Sequence, residues 1–210
     1  MIEQLESRTF FSVTPLAALT VLRSDVAGIG QKINTMIVAN EAAIANLQND
    51  MSIFPTANTT DNQSLRLLNV EFRLQVSTLA NDYNDIKVFF GQDITRLIND
   101  SNAYNRHPTA KVGLVVQESQ QLLAAQGNAA INTLTQDSDQ LQAGYVQELA
   151  QIAANHPLDA TLVARTGHIV TALADNVAAI QSAASTVAAT DIPNFITALE
   201  PNGVISTTTA

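Results

Sequence analysis

One apolar stripe constrains the fold of this chain more than any other feature of its sequence. Its members recur at a spacing that averages about 3.6 residues, the period of an α-helix, so that one face of a long helix stays apolar throughout. They are Leu65, Leu68, Phe72, Val76, Leu79, Tyr83, Ile86, Phe90, Ile94 and Leu97. Similar stripes begin near Leu22, Val112 and Leu162, and no long stretch has the period of two that marks a strand. The sequence therefore predicts an all-α protein.

Prolines and short polar segments divide the chain into four long helices, because proline ends or kinks a helix. The predicted long helices cover 16–54, 62–100, 110–155 and 158–190, between an N-terminal arm over 1–15 and a short helical turn and tail over 191–210. Short connections force consecutive helices to run antiparallel. The 210 residues fit one domain. We therefore expect 1–210 to form a single elongated antiparallel up-down-up-down four-helix bundle.

The surface of such a bundle would carry few charges, since only 14% of the residues are charged. Average proteins carry about 25%. The net charge of −9 argues against a nucleic-acid partner, which requires a basic surface. From residue 112 onward Arg165 is the only Lys or Arg, and Ala, Gln, Asn, Thr and Ser fill most outward positions. These neutral faces are either weakly hydrated surface or contacts with another subunit, where charge is depleted.

The residue types needed for catalysis or metal binding do not occur in suitable patterns. The chain has no cysteine, and no Glu or Asp precedes His107, His156 or His168 by three residues, as di-iron bundles require. Asp82 and Asp85 are expected on a solvated outer face, which would not separate their pKa values for acid–base work. We therefore predict a protein that is not an enzyme, with no catalytic residue, no cofactor and no metal site.

The candidate interaction residues are apolar side chains that the helical pattern leaves unassigned to the core. The apolar segment over 9–22 is interpreted as an arm that lies over the bundle, exchanges with a neighbour or inserts into a membrane. In the third helix, glycines among alanines suggest close packing against the fourth helix, with a hinge as the alternative. The candidates are Phe10, Phe11 and Leu16 of the arm, Phe89 of the second helix, and Ala125, Ala129 and Ala130 of the third.

The second helix gives the sharpest expectation about faces. Members of its stripe should be buried, whereas Arg73, Asp82 and Lys87 should point to solvent. Phe89 lies about 100° around the helix from Phe90, and so belongs at the edge of the stripe or against a neighbour.

These patterns predict a structural or interaction protein that packs against copies of itself or against a helical partner. One alternative is a membrane-active subunit of the helical pore-forming type, although anionic membranes would repel so acidic a chain. Another is a carrier that holds an apolar ligand between its helices. The sequence predicts neither a signal peptide nor a transmembrane helix, and is compatible with an extracellular or surface assembly.

Overall fold

The structure, a computed structural model, describes residues 14–53, 59–156 and 160–199. These residues form five α-helices and one π-helical turn. The elements are α1 (Pro15–Ile53), α2 (Thr59–Arg106), α3 (Ala110–Asn155), α4 (Ala160–Thr186), the π-turn (Val187–Asp191) and α5 (Ile192–Ala198). No strand occurs in these ranges, which confirms the all-α prediction.

Helix α2 is longer than predicted, because it continues to Arg106 instead of ending at 100. The added segment is rich in Asn and Ser, which are weak helix formers. Its helical form is supported by burial of Ser101 and by the half-buried Tyr104, whose ring lies beside Gly113 of α3. Tertiary packing therefore extends this helix beyond its local propensity.

Helical structure also continues past residue 190, the predicted end of the fourth long helix, because a π-turn joins α4 to α5. In this turn the N–H of Ile192 donates to the carbonyl of Val187, one residue further back than in an α-helix. Pro193 follows, and it has no N–H with which to continue an α-helical ladder. The wider turn accommodates that proline, and α5 is the short helical turn predicted within 191–210.

The four long helices pack around a common apolar core. Contact is most extensive between α2 and α3, and weaker between α1 and α4, between α3 and α4, and between α1 and α2. In the described ranges α1 does not contact α3, and α2 does not contact α4. The largest fully buried side chains are those of Phe72, Phe195, Leu22, Ile29, Met36, Leu47, Leu65, Leu68, Leu79, Ile86 and Leu97.

The predicted stripe of α2 forms a large part of this core. Eight of its ten members are buried, while Val76 and Tyr83 are half-buried. Arg73 and Lys87 are exposed, as predicted. The prediction for Asp82 is wrong: this residue is half-buried, and one of its carboxylate oxygens is fully buried.

The glycines of α3 mark close approach, but the helix that approaches is α2 and not α4. A Cβ atom on Gly127 would lie 2.8 Å from Cδ1 of Ile192 and 3.2 Å from Cζ of Phe90. Gly113 similarly faces Tyr104. Side chains of both α2 and α5 therefore contact α3 at Gly127, and these side chains would have to move if a larger residue replaced the glycine.

Candidate functional site

The structure brings together three of the seven predicted interaction residues. Phe89 of α2 and Ala129 and Ala130 of α3 line one groove between these helices, with a volume of about 250 Å³. The other lining residues are Asp82, Asp85, Gln126 and Thr133. Phe89 is 39% exposed, which agrees with its predicted place at the edge of the stripe.

The other four predicted residues lie elsewhere. Ala125 is exposed on α3, one turn before Ala129, and does not line the groove. Leu16 is exposed at the start of α1, where it lines a separate cavity of about 430 Å³ with Ile98 and Phe195. Phe10 and Phe11 lie outside the described residues.

Residue spacing on the two helices explains the shape of the groove. The lining positions of α3 are 126, 129, 130 and 133, which share one face because they are three, four and seven residues apart. Alanine occupies the two central positions, so this face carries little side-chain volume. On α2, Asp85 and Phe89 are one turn apart, and the ring of Phe89 forms part of the wall. The floor is therefore apolar and the α2 side carries the acidic groups.

Asp82 gives the groove its unusual electrostatics. Its Oδ2 atom is buried and has no hydrogen-bond partner among the described residues. Burial, a hydrogen bond with Asp137 and the charges of Asp137 and Asp85 together raise the pKa of Asp82 to about 6. A carboxylate that is partly desolvated beside other carboxylates binds its proton more tightly than one in water.

The sequence interpretation missed this pair of carboxyls, although a signal for it was present. Asp82 follows Leu79 by three residues and precedes Ile86 by four, which is the spacing of a core position. Asp137 has the same relation to Leu134 and Leu141. Because both acidic residues lie at core spacing on adjacent helices, the sequence already indicated that their carboxyl groups could contact each other.

Asp137 and Asp139 are close in sequence but lie at two different helix interfaces. Asp137 acts on Asp82 of α2, whereas Asp139 accepts a hydrogen bond of 2.6 Å from Nε2 of Gln181 on α4. The same Gln181 amide donates to the Ser138 hydroxyl at 3.2 Å. Consecutive residues of α3 thus link it to both of its long neighbours.

A second carboxyl pair joins α1 to the π-turn. Asp191 is buried and its Oδ2 atom has no partner within the described ranges. Burial, together with a hydrogen bond and the charge at Asp25, raises the pKa of Asp191 to about 6. Neither carboxyl of this pair lines the groove.

A smaller apolar cavity lies between α1 and α2, which have the least extensive contact of the long helices that touch each other. It has a volume of about 210 Å³ and a floor of core side chains that includes Leu22, Val26 and Phe90. The two bases at its rim are Arg23 and Lys87. Nothing in the sequence singled out this cavity, because it depends on the separation of two helices.

The histidines stand apart on α4 and at the ends of α2 and α3, where His107 follows Arg106 and His156 caps α3. Over the described ranges, no three His, Asp or Glu residues are grouped so that they could hold a metal ion. No helix of the described part of the chain has the length and apolar character to cross a membrane.

The groove combines an apolar floor with two carboxyl groups, a surface suited to an aliphatic chain that ends in a positive charge. No histidine, serine or lysine is among the residues that line the groove. Comparison with protein-family models, with curated proteins and with solved structures finds no match for this chain.

Proposed function

We propose that this chain is a non-enzymatic interaction protein, a helical bundle that binds a second protein through the groove between α2 and α3. The observation that carries the proposal is the convergence of Phe89, Ala129 and Ala130 with Asp82 and Asp85 in one surface groove. Apolar side chains at an open groove lower the free energy of association when a partner removes them from water.

The proposal includes an antiparallel up-down arrangement of the long helices. Its support is the order of contacts between α2 and α3: Phe72 stacks near Tyr145 with ring centroids 5.4 Å apart, whereas the later Tyr104 lies beside the earlier Gly113. Asp50 near the end of α1 forms an ion pair with Arg165 near the start of α4. In each case, residues later on one helix contact residues earlier on the other, which is the order found in antiparallel neighbours.

The groove favours a Lys or Arg side chain presented by a helical partner. The aliphatic part of such a side chain would pack on Ala129 and Ala130, while its cation would lie between Asp82 and Asp85. The cation would offset the repulsion between these carboxylates through charge-assisted hydrogen bonds. Because Asp82 must lose its proton, we expect affinity to rise as the pH rises through about 6.

A titration with two designed peptides tests this function. The first is an amphipathic helical 15-mer of Leu, Ala and Lys, and the second replaces each Lys with Glu. At physiological salt we expect the Lys peptide to shift amide resonances of residues 82–89 and 126–133, and the Glu peptide to shift none. NMR spectra of the full chain measure both.

Matched variants separate groove binding from general attraction to an acidic chain. Ala129→Phe fills the groove and should abolish the localised shifts, while Ala178→Phe on an exposed position of α4 should retain them. Equal binding of the two peptides, or shifts spread over the whole surface, would contradict the proposal.

The carrier alternative is supported by one observation, the apolar cavity of about 210 Å³ between α1 and α2. That volume accommodates only a small ligand, since drug-sized molecules occupy pockets of about 300–1,000 Å³. The membrane-active alternative depends on the arm, whose residues 1–13 lie outside the described ranges. The interaction function therefore has the stronger support.

A further inference from the structure

The outward face of α2 carries a concentration of apolar side chains that the core does not use. Leu67, Val70, Leu74 and Val88 are each more than half exposed. Single apolar residues on a surface are ordinary, but several on one face of one helix indicate a contact surface. This face is distinct from the groove, because none of the four lines it.

These positions follow a heptad, the repeat of helices that pair with another helix. The a positions, seven residues apart, are Leu67, Leu74, Asn81 and Val88, and the d positions between them are Val70, Ser77 and Asn84. All seven are exposed, while the core residues of α2 lie on the opposite side. The helices thus leave an exposed a/d seam over residues 67–88 that is apolar at positions 67, 70, 74 and 88 and polar at positions 77, 81 and 84.

The charges beside this seam determine which orientation of a second copy would fit. The g positions Arg66, Arg73 and Lys87 are basic, and the e positions Glu71 and Asp85 are acidic. In a parallel pair each g residue meets the e residue five positions later on the other helix, which sets Arg66 against Glu71. The other three g–e pairs each join a charged residue to an uncharged one, so none of them opposes this orientation. An antiparallel pair would set g against g and e against e, and like charges would repel.

Neither Arg66 nor Glu71 has an ion pair within the described part of the chain. Helix α2 carries five basic and six acidic residues, so it contributes only −1 to the net charge of −9. Two copies therefore meet along this helix with little net repulsion.

We propose that two copies of this chain pair along α2 in parallel, about a two-fold axis, through the surface formed by Leu67, Val70, Leu74, Asn81 and Val88. The two Asn81 side chains would then face each other across the axis. One Asn at an a position fixes the register and favours two strands, at some cost in stability. This pairing is a separate contact from the one proposed for the groove, although Asp85 both flanks the seam and lines the groove.

Sedimentation equilibrium of the purified full chain measures the pairing. We expect a concentration-dependent species with twice the monomer mass of 22.4 kDa. Val70→Glu should raise the dissociation constant by about tenfold or more, because each dimer would bury two carboxylates. Val38→Glu on α1 is the matched control, since Val38 is 60% exposed and Val70 is 64% exposed, and it should leave the constant unchanged.

Two further variants test the orientation. Because the chain has no cysteine, Asn81→Cys should give a disulfide-linked dimer on oxidation, and Asn132→Cys, at an exposed position of α3, should not. Arg66→Glu and Glu71→Arg should each weaken pairing, and the double variant should restore it only in a parallel dimer. Circular dichroism should show unchanged helicity in every variant, because all these positions are exposed.

A monomer at every accessible concentration would overturn the proposal, as would a dimer that Val70→Glu and Val38→Glu affect equally. Failure of the Asn81→Cys cross-link in a confirmed dimer would overturn the parallel orientation. Failure of the groove to bind the Lys peptide would leave this pairing intact, because none of the five residues that form the pairing surface lines the groove.

Discussion

Asp82 and Asp191 each bring a carboxyl group against a second carboxyl on another element of the chain. Both lie at core spacing, and both have a buried oxygen without a partner in the described ranges. Uncharged carboxylic acids are accommodated at such sites better than carboxylates, because desolvation and like charge penalise only the ionised form. The folded chain therefore holds protons that the unfolded chain has already released.

This difference predicts a stability that decreases as the pH rises. The pKa of each group is raised in the folded state, so its full stabilising effect is present below about pH 4 and is lost as the pH rises through about 6. The loss should be roughly 1 kcal/mol at each site after solvent screening. Asp82→Asn should flatten this part of the pH profile of the free energy of unfolding, as measured with urea, and Asp175→Asn on an exposed position of α4 should not. An unchanged slope in Asp82→Asn would contradict the assignment.

Adjacent phenylalanines on α2 provide a second prediction at this scale. Phe90 is buried, so Phe90→Ala should lower the free energy of unfolding by about 3–5 kcal/mol. Phe89 lies at the edge of the groove, so Phe89→Ala should cost much less stability and instead weaken binding of the Lys peptide. Urea unfolding of both variants checks the order, and a larger cost for Phe89→Ala would mean that the faces of α2 are rotated by one residue.

At the scale of the elements, close packing of α3 depends on what its small residues face. Gly127 lies between Phe90 of α2 and Ile192 of α5. The π-turn precedes α5 and places Ile192 beside Gly127. Helix α5 therefore packs directly at the α2–α3 interface. This arrangement favours the packing interpretation of Gly127 over a hinge.

Substitution of two glycines by alanine should therefore have opposite effects. Gly91→Ala on α2 should stabilise the chain by about 0.5–1 kcal/mol, because a Cβ atom there meets nothing within 4 Å and alanine favours the helix. Gly127→Ala should destabilise it by about 1–3 kcal/mol, because Ile192 and Phe90 would have to move. Thermal or urea unfolding measures both, and a stabilising Gly127→Ala would show that the contact is looser than described.

At the scale of the whole molecule, the acidic chain has two surfaces of different character. The α2–α3 groove combines carboxyls with alanines, whereas the outward face of α2 is apolar with balanced charge. If both proposals hold, pairing along α2 would give an assembly with two grooves. Each surface has its own variants, so binding and pairing can be measured separately.

The sequence by itself determined the all-α class, the number of long helices and the buried stripe of α2. These properties follow from a repeat of about 3.6 residues, which assigns each residue to a face of its helix without reference to any other helix. Which surfaces meet was decided by tertiary structure. The contact of Asp82 with Asp137, the approach of α2 and α5 to Gly127, and the groove at Phe89 depend on the rotation and axial offset of neighbouring helices. Those quantities are fixed by packing over the whole core, because a helix can turn or slide against its neighbour without any change in its own period.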